Sequence, residues 1–330
     1  MFARRLPSFA LLAVAATLAG CASATPAARP RATPPEPASF HVTLPRVDDA
    51  VRFAVIGDSG TGDRYQYEVA KRLDEAREQF PFTFAIMLGD NVYGSERPQD
   101  YGRKFETPYK PLLDAGVDFH AALGNHDDPA QRMYKPFNMN GERYYTFTKG
   151  PVEFFILDSN YLDPRQVEWL KGKLEGSGAE WRIAYFHHPL YSSGATHGSE
   201  TDLRQILEPL FVQYGVSVVF AGHEHFYERI KPQKGVTYFT SGGAAKLRWG
   251  DIRKTPLTAV GFDTDRSFML VEIAGDTLYF QAVSRTGETV DSGTVPRREP
   301  AGKPARPQAP GPPAATSTRP ADSRVVTPSF

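Results

Sequence analysis

Five short segments, each placed directly after a run of apolar residues, carry the side chains best suited to hold cations. They read Gly57-Asp58-Ser59-Gly60, Gly89-Asp90-Asn91-Val92-Tyr93, Gly124-Asn125-His126-Asp127, His187-His188-Pro189 and Gly222-His223-Glu224-His225. Carboxylate and carboxamide oxygens and imidazole nitrogens are ligands for hard and borderline metal ions. Taken singly, each segment has a plainer reading. A Gly-Asp pair after a strand is ordinarily a turn, and a lone Gly-Asn-His says less still. His223 and His225 make a stronger signal, because side chains two apart on an extended chain share a face. The order Asp, Asp, Asn, His, His along five successive strand ends is what argues for one common site. A glycine beside four of these residues lets backbones turn sharply and approach closely.

The elements that must position them are legible between residues 51 and 296. Apolar runs at Phe53–Ile56, Thr83–Leu88, Phe119–Leu123, Glu153–Leu157, Arg182–Phe186, Val216–Phe220 and Val236–Thr240 predict buried strands. Helical spacing lies between them. Tyr67–Gln79 puts Val69, Leu73 and Ala76 on one face, and Thr201–Tyr214 does the same with Leu203, Ile206, Leu207, Leu210 and Phe211. Asp163-Pro164-Arg165-Gln166 predicts a helix start with an N-cap Asp, Pro at the first position and a capping-box Gln. After Arg266 only strands follow, at Phe268–Ile273, Thr277–Ser284 and Glu288–Val295. The expected fold is an α/β layered sandwich closed by an antiparallel meander, with its site at the carboxyl ends of the strands.

In this order the blocks resemble those of the calcineurin-like metallophosphoesterases and, within them, the purple acid phosphatases. The family's blocks read GDxG, GDxxY, GNH followed by Asp or Glu, a His two before a Pro, and GHxH. All five stand here over residues 57–229. Ala54–Asp58 lacks the Asp-x-His pair that opens most of the superfamily, whereas Tyr93 stands where the purple group has its metal-bound tyrosine. The resemblance implies a four-layer αββα sandwich and two metal ions. Asp58, Tyr93 and His225 would hold Fe(III). Asn125, His187 and His223 would hold a divalent Fe, Zn or Mn, and Asp90 would bridge the two. Two such ions clamp a phosphate ester and activate water for in-line attack. His187 is preferred to His188 because it lies two before Pro189. His126 and His197 are the candidates for proton transfer to the leaving group. Glu228 and Arg229 extend the last block as structural groups. The plant-type enzymes carry an additional N-terminal β-sandwich, for which this sequence offers only a Pro-rich stretch.

The ends of the chain read differently. Arg4 and Arg5 precede an apolar Phe9–Leu18, too short to span a bilayer, and Leu18-Ala19-Gly20-Cys21 resembles a bacterial lipobox. The expected organisation is a lipoprotein signal peptide over 1–20, a lipidated Cys21 with a Pro/Ala-rich tether over 21–50, the phosphoesterase domain over 51–296, and a disordered tail over 297–330. That implies an exported protein anchored to a membrane through lipid and facing the periplasm or cell exterior. Cys21 is the single cysteine, so no disulfide framework forms. Lys plus Arg and Asp plus Glu balance at 38 each, which argues against nucleic acid as a partner. The expected function is phosphomonoester hydrolysis on a small substrate. A phosphodiesterase or nucleotide hydrolase, or a membrane-anchored binding protein without activity, are the alternatives.

Overall fold

The first strand shows how the layers arise. In β1 (Val51–Ile56) every residue from Phe53 onward is buried, so both faces of the strand must be covered. Phe53 meets Phe154 edge-on with ring centroids 5.3 Å apart and Phe220 at 6.2 Å, both from a second sheet. Over the outer face lies α1 (Arg64–Gln79), presenting Val69, Leu73 and Ala76. Asp63 caps this helix by accepting from the amides of Tyr65 and Gln66.

The structure is a computed structural model and describes residues 40–301. Cys21, the signal-like segment and nearly all of the proposed tail lie outside them. The remaining strands are β2 (Phe84–Met87), β3 (Asp118–Ala121), β4 (Tyr145–Lys149), β5 (Val152–Ile156), β6 (Trp181–Phe186) and β7 (Val216–Ala221). They continue with β8 (Tyr227–Ile230), β9 (Thr237–Ser241), β10 (Thr258–Phe262), β11 (Ser267–Ala274), β12 (Thr277–Ser284) and β13 (Thr289–Pro296). The further helices are α2 (Pro98–Tyr101), α3 (Lys110–Asp114), α4 (Pro164–Gly176) and α5 (Thr201–Gln213).

Two mixed sheets form. One runs β13-β12-β11-β1-β2-β3, the other β10-β8-β9-β7-β6-β5-β4. Strands β1, β2 and β3 are parallel, as are β5, β6, β7 and β9. The sheets pack on each other through a continuous core, and α4 and α5 cover the second sheet with Leu170, Leu174, Leu207 and Phe211. This is the expected αββα sandwich. The antiparallel meander closes it as expected, with β11 paired to β1 so that the meander extends the first sheet.

Four features depart from the sequence reading. The stretch 40–50, assigned to the tether, lies against the domain. Phe40 and Leu44 are buried, and the amides of Arg46 and Val47 donate to the Glu272 carboxylate at 2.9 and 2.6 Å. Two apolar residues in a Pro/Ala-rich context are a weak signal, yet the stretch that carries them is tied down by the buried Glu272 carboxylate of β11. At the other end, Arg298 donates its amide to Ser217 Oγ at 3.0 Å, so the packed chain continues a few residues past 296. Gln166 does not close a capping box. It is buried, and its carboxamide brackets Asp158, accepting from the amide at 2.8 Å and donating to the carbonyl at 3.0 Å. Strands β4, β8 and β10 lie outside the apolar runs that predict strands. Glu228 and Arg229 on β8 are structural, Glu228 accepting from Ser193 N at 2.9 Å and Arg229 pairing with Asp291 at 2.7 Å.

Inside the core, His120 stacks on Phe147 with centroids 3.8 Å apart, and neither ring nitrogen has a hydrogen-bond partner among the described residues. Burial, with Lys149 nearby, lowers its pKa to about 4. The folded state therefore binds a proton less readily than the unfolded chain, whose His titrates near 6.5. Stability from this group is complete above about 6.5 and is lost as pH falls toward 4, by about 3 kcal/mol. Urea unfolding across that range should show this acid slope in the wild type and a flatter one in His120→Leu.

Candidate metal centre

All the candidate ligands reach one place, and it lies along the shared edge of two sheets, where the sequence suggested the edge of one. β1, β2 and β3 deliver Asp58, Asp90 and Asn125 from the first sheet, and β6 and β7 deliver His187 and His223 from the second. The sheets are stitched at this edge by His187 Nδ1, 2.9 Å from the carbonyl of Leu88. That contact puts the ring proton on Nδ1 and leaves the Nε2 lone pair facing the site.

The donors fall into two groups. In the first, Tyr93 Oη lies 2.9 Å from Asp58 Oδ1 and 3.3 Å from His225 Nε2. His225 Nε2 is 3.3 Å from the same carboxylate oxygen. In the second, Asn125 Oδ1 lies 2.9 Å from His187 Nε2 and 3.0 Å from His223 Nδ1, with the two imidazole nitrogens 3.2 Å apart. Asp90 belongs to both. Its ligand oxygen sits within 4.8 Å of those of Asp58 and His225, and its Oδ1 is 3.5 Å from His187 Nε2.

Close approach is built in by glycine. A Cβ on Gly124 would stand 2.2 Å from Asp90 Oδ1, and one on Gly222 would stand 2.7 Å from Asp58 Oδ2. Asp58, Asp90 and His223 themselves adopt left-handed backbone, with φ of 55°, 53° and 68°. Such conformations cost free energy for residues with a Cβ and persist where the surrounding structure enforces them.

The electrostatics describe a site that calls for positive charge. Asp58 and Asp90 are buried, and among the described residues no Lys or Arg pairs with either. Burial and then the Asp90 carboxylate push Asp58 well above the usual carboxylate range. The Tyr93 phenol is pushed up by burial and by both carboxylates, and hydrogen-bonds to Asp58. Burial lowers His225 to about 3, so the imidazole is neutral and free to ligate. Buried paired carboxylates, a phenol and neutral imidazoles are the donor set that two cations would satisfy, oxygen-rich around Asp58 and nitrogen-rich around His187.

The remaining sequence candidates are also here. His126 donates its amide to Asp90 Oδ1 at 2.9 Å and its ring lies 5.1 Å from that of Tyr93. The ring of His197 lies 4.2 Å from that of His223. A ring nitrogen of His188 lies within 4.8 Å of those of His187 and His223, and its Nδ1 stands 2.8 Å from Ser159 Oγ. Beside it a cleft of about 460 Å³ opens, lined by Asn125, Asp127, Asn160, Tyr161 and His188 among others. Asp127 ties two ligand loops together, accepting from the amides of Asn91, Val92 and Gly124 at 2.8, 3.1 and 2.8 Å.

The sequence reading missed the loop after β9. Lys246 Nζ stands 4.5 Å over the Tyr93 ring, and Arg248 touches His197 and Glu224. The signal was present in Gly242-Gly243, again glycines after a strand, where a Cβ on Gly242 would meet Asp58 Oδ2 at 2.6 Å.

A family model for calcineurin-like phosphoesterases matches residues 51–227, which span every candidate ligand. The chain belongs to the calcineurin-like phosphoesterases. This phosphoesterase is 25% identical over 313 residues to tartrate-resistant acid phosphatase type 5 of Rattus norvegicus, covering 79% of its own length and 94% of the relative. It is 36% identical over 220 residues to purple acid phosphatase 15 of Arabidopsis thaliana, covering 54% of itself and 40% of that protein. Among solved structures, its fold is shared with purple acid phosphatase PPD1 from yellow lupin seeds at a TM-score of 0.65 and 19% identity, over 75% of this chain and 54% of that one. It is shared equally with GAP50, the anchor in the inner membrane complex of Plasmodium, at 0.65 and 21%, over 76% and 90%. Family and site together support phosphoester hydrolysis at a metal-binding centre.

Proposed function

We propose that this phosphoesterase is a phosphomonoester hydrolase of the purple acid phosphatase type, working with two metal ions. The observation that carries the reading is the pair of donor groups joined through Asp90. Asp58, Tyr93 and His225 would hold Fe(III), Asn125, His187 and His223 a divalent Fe, Zn or Mn, and Asp90 would serve both. The bound pair would supply Lewis-acid activation of the ester and of a water molecule. The chain's own residues do the rest. His187 is locked by Leu88 so that its free nitrogen faces Asn125. His126 and His197 flank the centre on its Tyr93 and His223 sides, placed to hydrogen-bond the phosphate or deliver a proton to the departing oxygen. The names of the acid phosphatase relatives support a monoester substrate.

The test is metal analysis of the purified domain beside turnover of p-nitrophenyl phosphate and bis-p-nitrophenyl phosphate. Two metals per chain, monoester turnover and a visible absorption band lost in Tyr93→Phe are expected. Turnover of the diester alone would move the substrate to phosphodiesters or nucleotides. Metal binding without either turnover would favour a non-catalytic anchor. We propose in addition that the chain is exported and lipidated at Cys21. Acyl labelling and membrane fractionation should both be lost in Cys21→Ser, and a wild type found unlabelled in the soluble fraction would overturn this.

A further inference from the structure

The loop that carries His197 looks in sequence like a free Ser/Gly-rich excursion, SSGATHGSE. In the structure it is nailed down at both ends of that histidine. Glu224, the residue between the two histidines of the GHxH block, is fully buried. Its Oε1 accepts from the amide of Gly198 at 2.6 Å and from Ser192 Oγ at 3.3 Å. A Cβ on Gly194 would stand only 2.0 Å from the same oxygen, so the loop closes on this carboxylate without room to spare. The other oxygen, Oε2, meets Arg248 Nη1 at 3.3 Å. Arg248 then reaches back, its Nη2 standing 2.7 Å from His197 Nε2.

A guanidinium only donates, so the arginine contact makes Nε2 an acceptor. A neutral imidazole with an accepting Nε2 carries its hydrogen on Nδ1. Among the described residues His197 makes one hydrogen bond, the one to Arg248. Its Nδ1–H is therefore an unspent donor, on a ring that packs 4.2 Å from the ring of His223 at an interplanar angle of 34°. The loop alone would let this exposed ring rotate, and Arg248 removes that freedom. Pre-setting a donor before substrate arrives is how an enzyme avoids reorganisation in the reaction itself.

We infer that Arg248, anchored on Glu224, is the positioning residue for His197, occupying Nε2 so that Nδ1–H faces the substrate phosphate. The catalytic consequence rests on the phosphohydrolase reading above, while the ring geometry stands apart from it. Arg248 acts through His197 and its own contact is with the protein. This separates it from a cation that binds phosphate directly.

The experiment combines a double-mutant cycle with a spectroscopic readout. Arg248→Ala and His197→Ala should each lower kcat about 10- to 100-fold with a smaller change in KM. The double variant should be no slower than the slower single one, because the two residues act as a unit. Arg248→Lys, whose ammonium can still donate to Nε2, should recover a large part of the loss. In zinc-loaded, 15N-histidine-labelled protein, the His197 resonances should report the Nδ1–H tautomer in wild type and Arg248→Lys, and a mixture in Arg248→Ala. Multiplying effects in the double variant, together with weaker inorganic phosphate binding in Arg248→Ala on the His197→Ala background, would overturn the inference and make Arg248 a direct phosphate ligand. A wild-type ring bearing its hydrogen on Nε2 would overturn it too. If wild type cleaves no phosphate ester, the hydrolase reading fails while the tautomer measurement still decides the role of Arg248. Arg248→Lys keeps the test valid if Arg248→Ala does not fold, because tautomer and turnover can both be read from it.

Discussion

Asp90→Ala is expected to lower phosphate-ester turnover by about 10³-fold or more and to leave fewer than two metals per chain. The reason is position. Asp90 is the side chain that reaches both donor groups, with Oδ1 3.5 Å from His187 Nε2 on one side and a place beside Asp58 and His225 on the other. The same oxygen anchors the His126 amide at 2.9 Å, so truncation also frees a candidate substrate-binding loop. Stability of the metal-free protein should change far less, since removing one of two crowded carboxylates relieves the repulsion that pushes Asp58 upward. Metal analysis and thermal unfolding on the same preparation separate these outcomes. Two metals and near-normal turnover in Asp90→Ala would mean that the two groups are not one centre.

The second large effect distinguishes two adjacent histidines. His187→Ala should cost about 10³-fold in turnover and lose the metal held with Asn125 and His223. His188→Ala should cost about 10-fold, as expected for a group that orients what others hold. His187 is completely buried, its Nδ1 fixed on Leu88 and its Nε2 turned to Asn125. His188 has a different partner, Ser159 Oγ, which also accepts from the His188 amide at 3.1 Å. Both imidazoles lie near His223 and each has its Nδ1 engaged; what sets His187 apart is its Nε2, 2.9 Å from Asn125 Oδ1 and 3.5 Å from Asp90 Oδ1. Equal loss of metal in the two variants would show that His188 is itself a ligand.

Much of this was readable from the chain. Strand ends are legible because a buried parallel strand must be apolar on both faces and must then stop, so Phe53–Ile56 followed by Gly-Asp announces both the strand and the site residue. The left-handed Asp58 and Asp90 follow the same logic, a sharp turn straight after the strand. What escaped the reading lacks such a boundary. β8 is four residues with charged Glu228 and Arg229 inside it, Glu228 buried and Arg229 half-buried, and both are held by partners 30 or more residues away, Thr258 and Asp291. The docking of Phe40 and Leu44 depends likewise on Glu272 and Gln281, far along the chain. Gln166 stood at the capping-box position, yet its carboxamide serves the backbone of Asp158. Arg248 could be found only by knowing that the loop after β9 folds across the His197 loop.

The left-handed backbone at Asp58, Asp90 and His223 bears on any effort to make this protein hardier. Glycine would sit at those three positions with less strain than the residues present, and each conformation costs about 1–2 kcal/mol for an ordinary side chain, less for Asp. A selection for heat resistance alone, run without metal, would therefore drift toward glycine where the chain now keeps its ligands. Thermal endurance and metal retention pull this molecule in opposite directions at the same three residues, so a stabilised variant has to be screened with its metals in place.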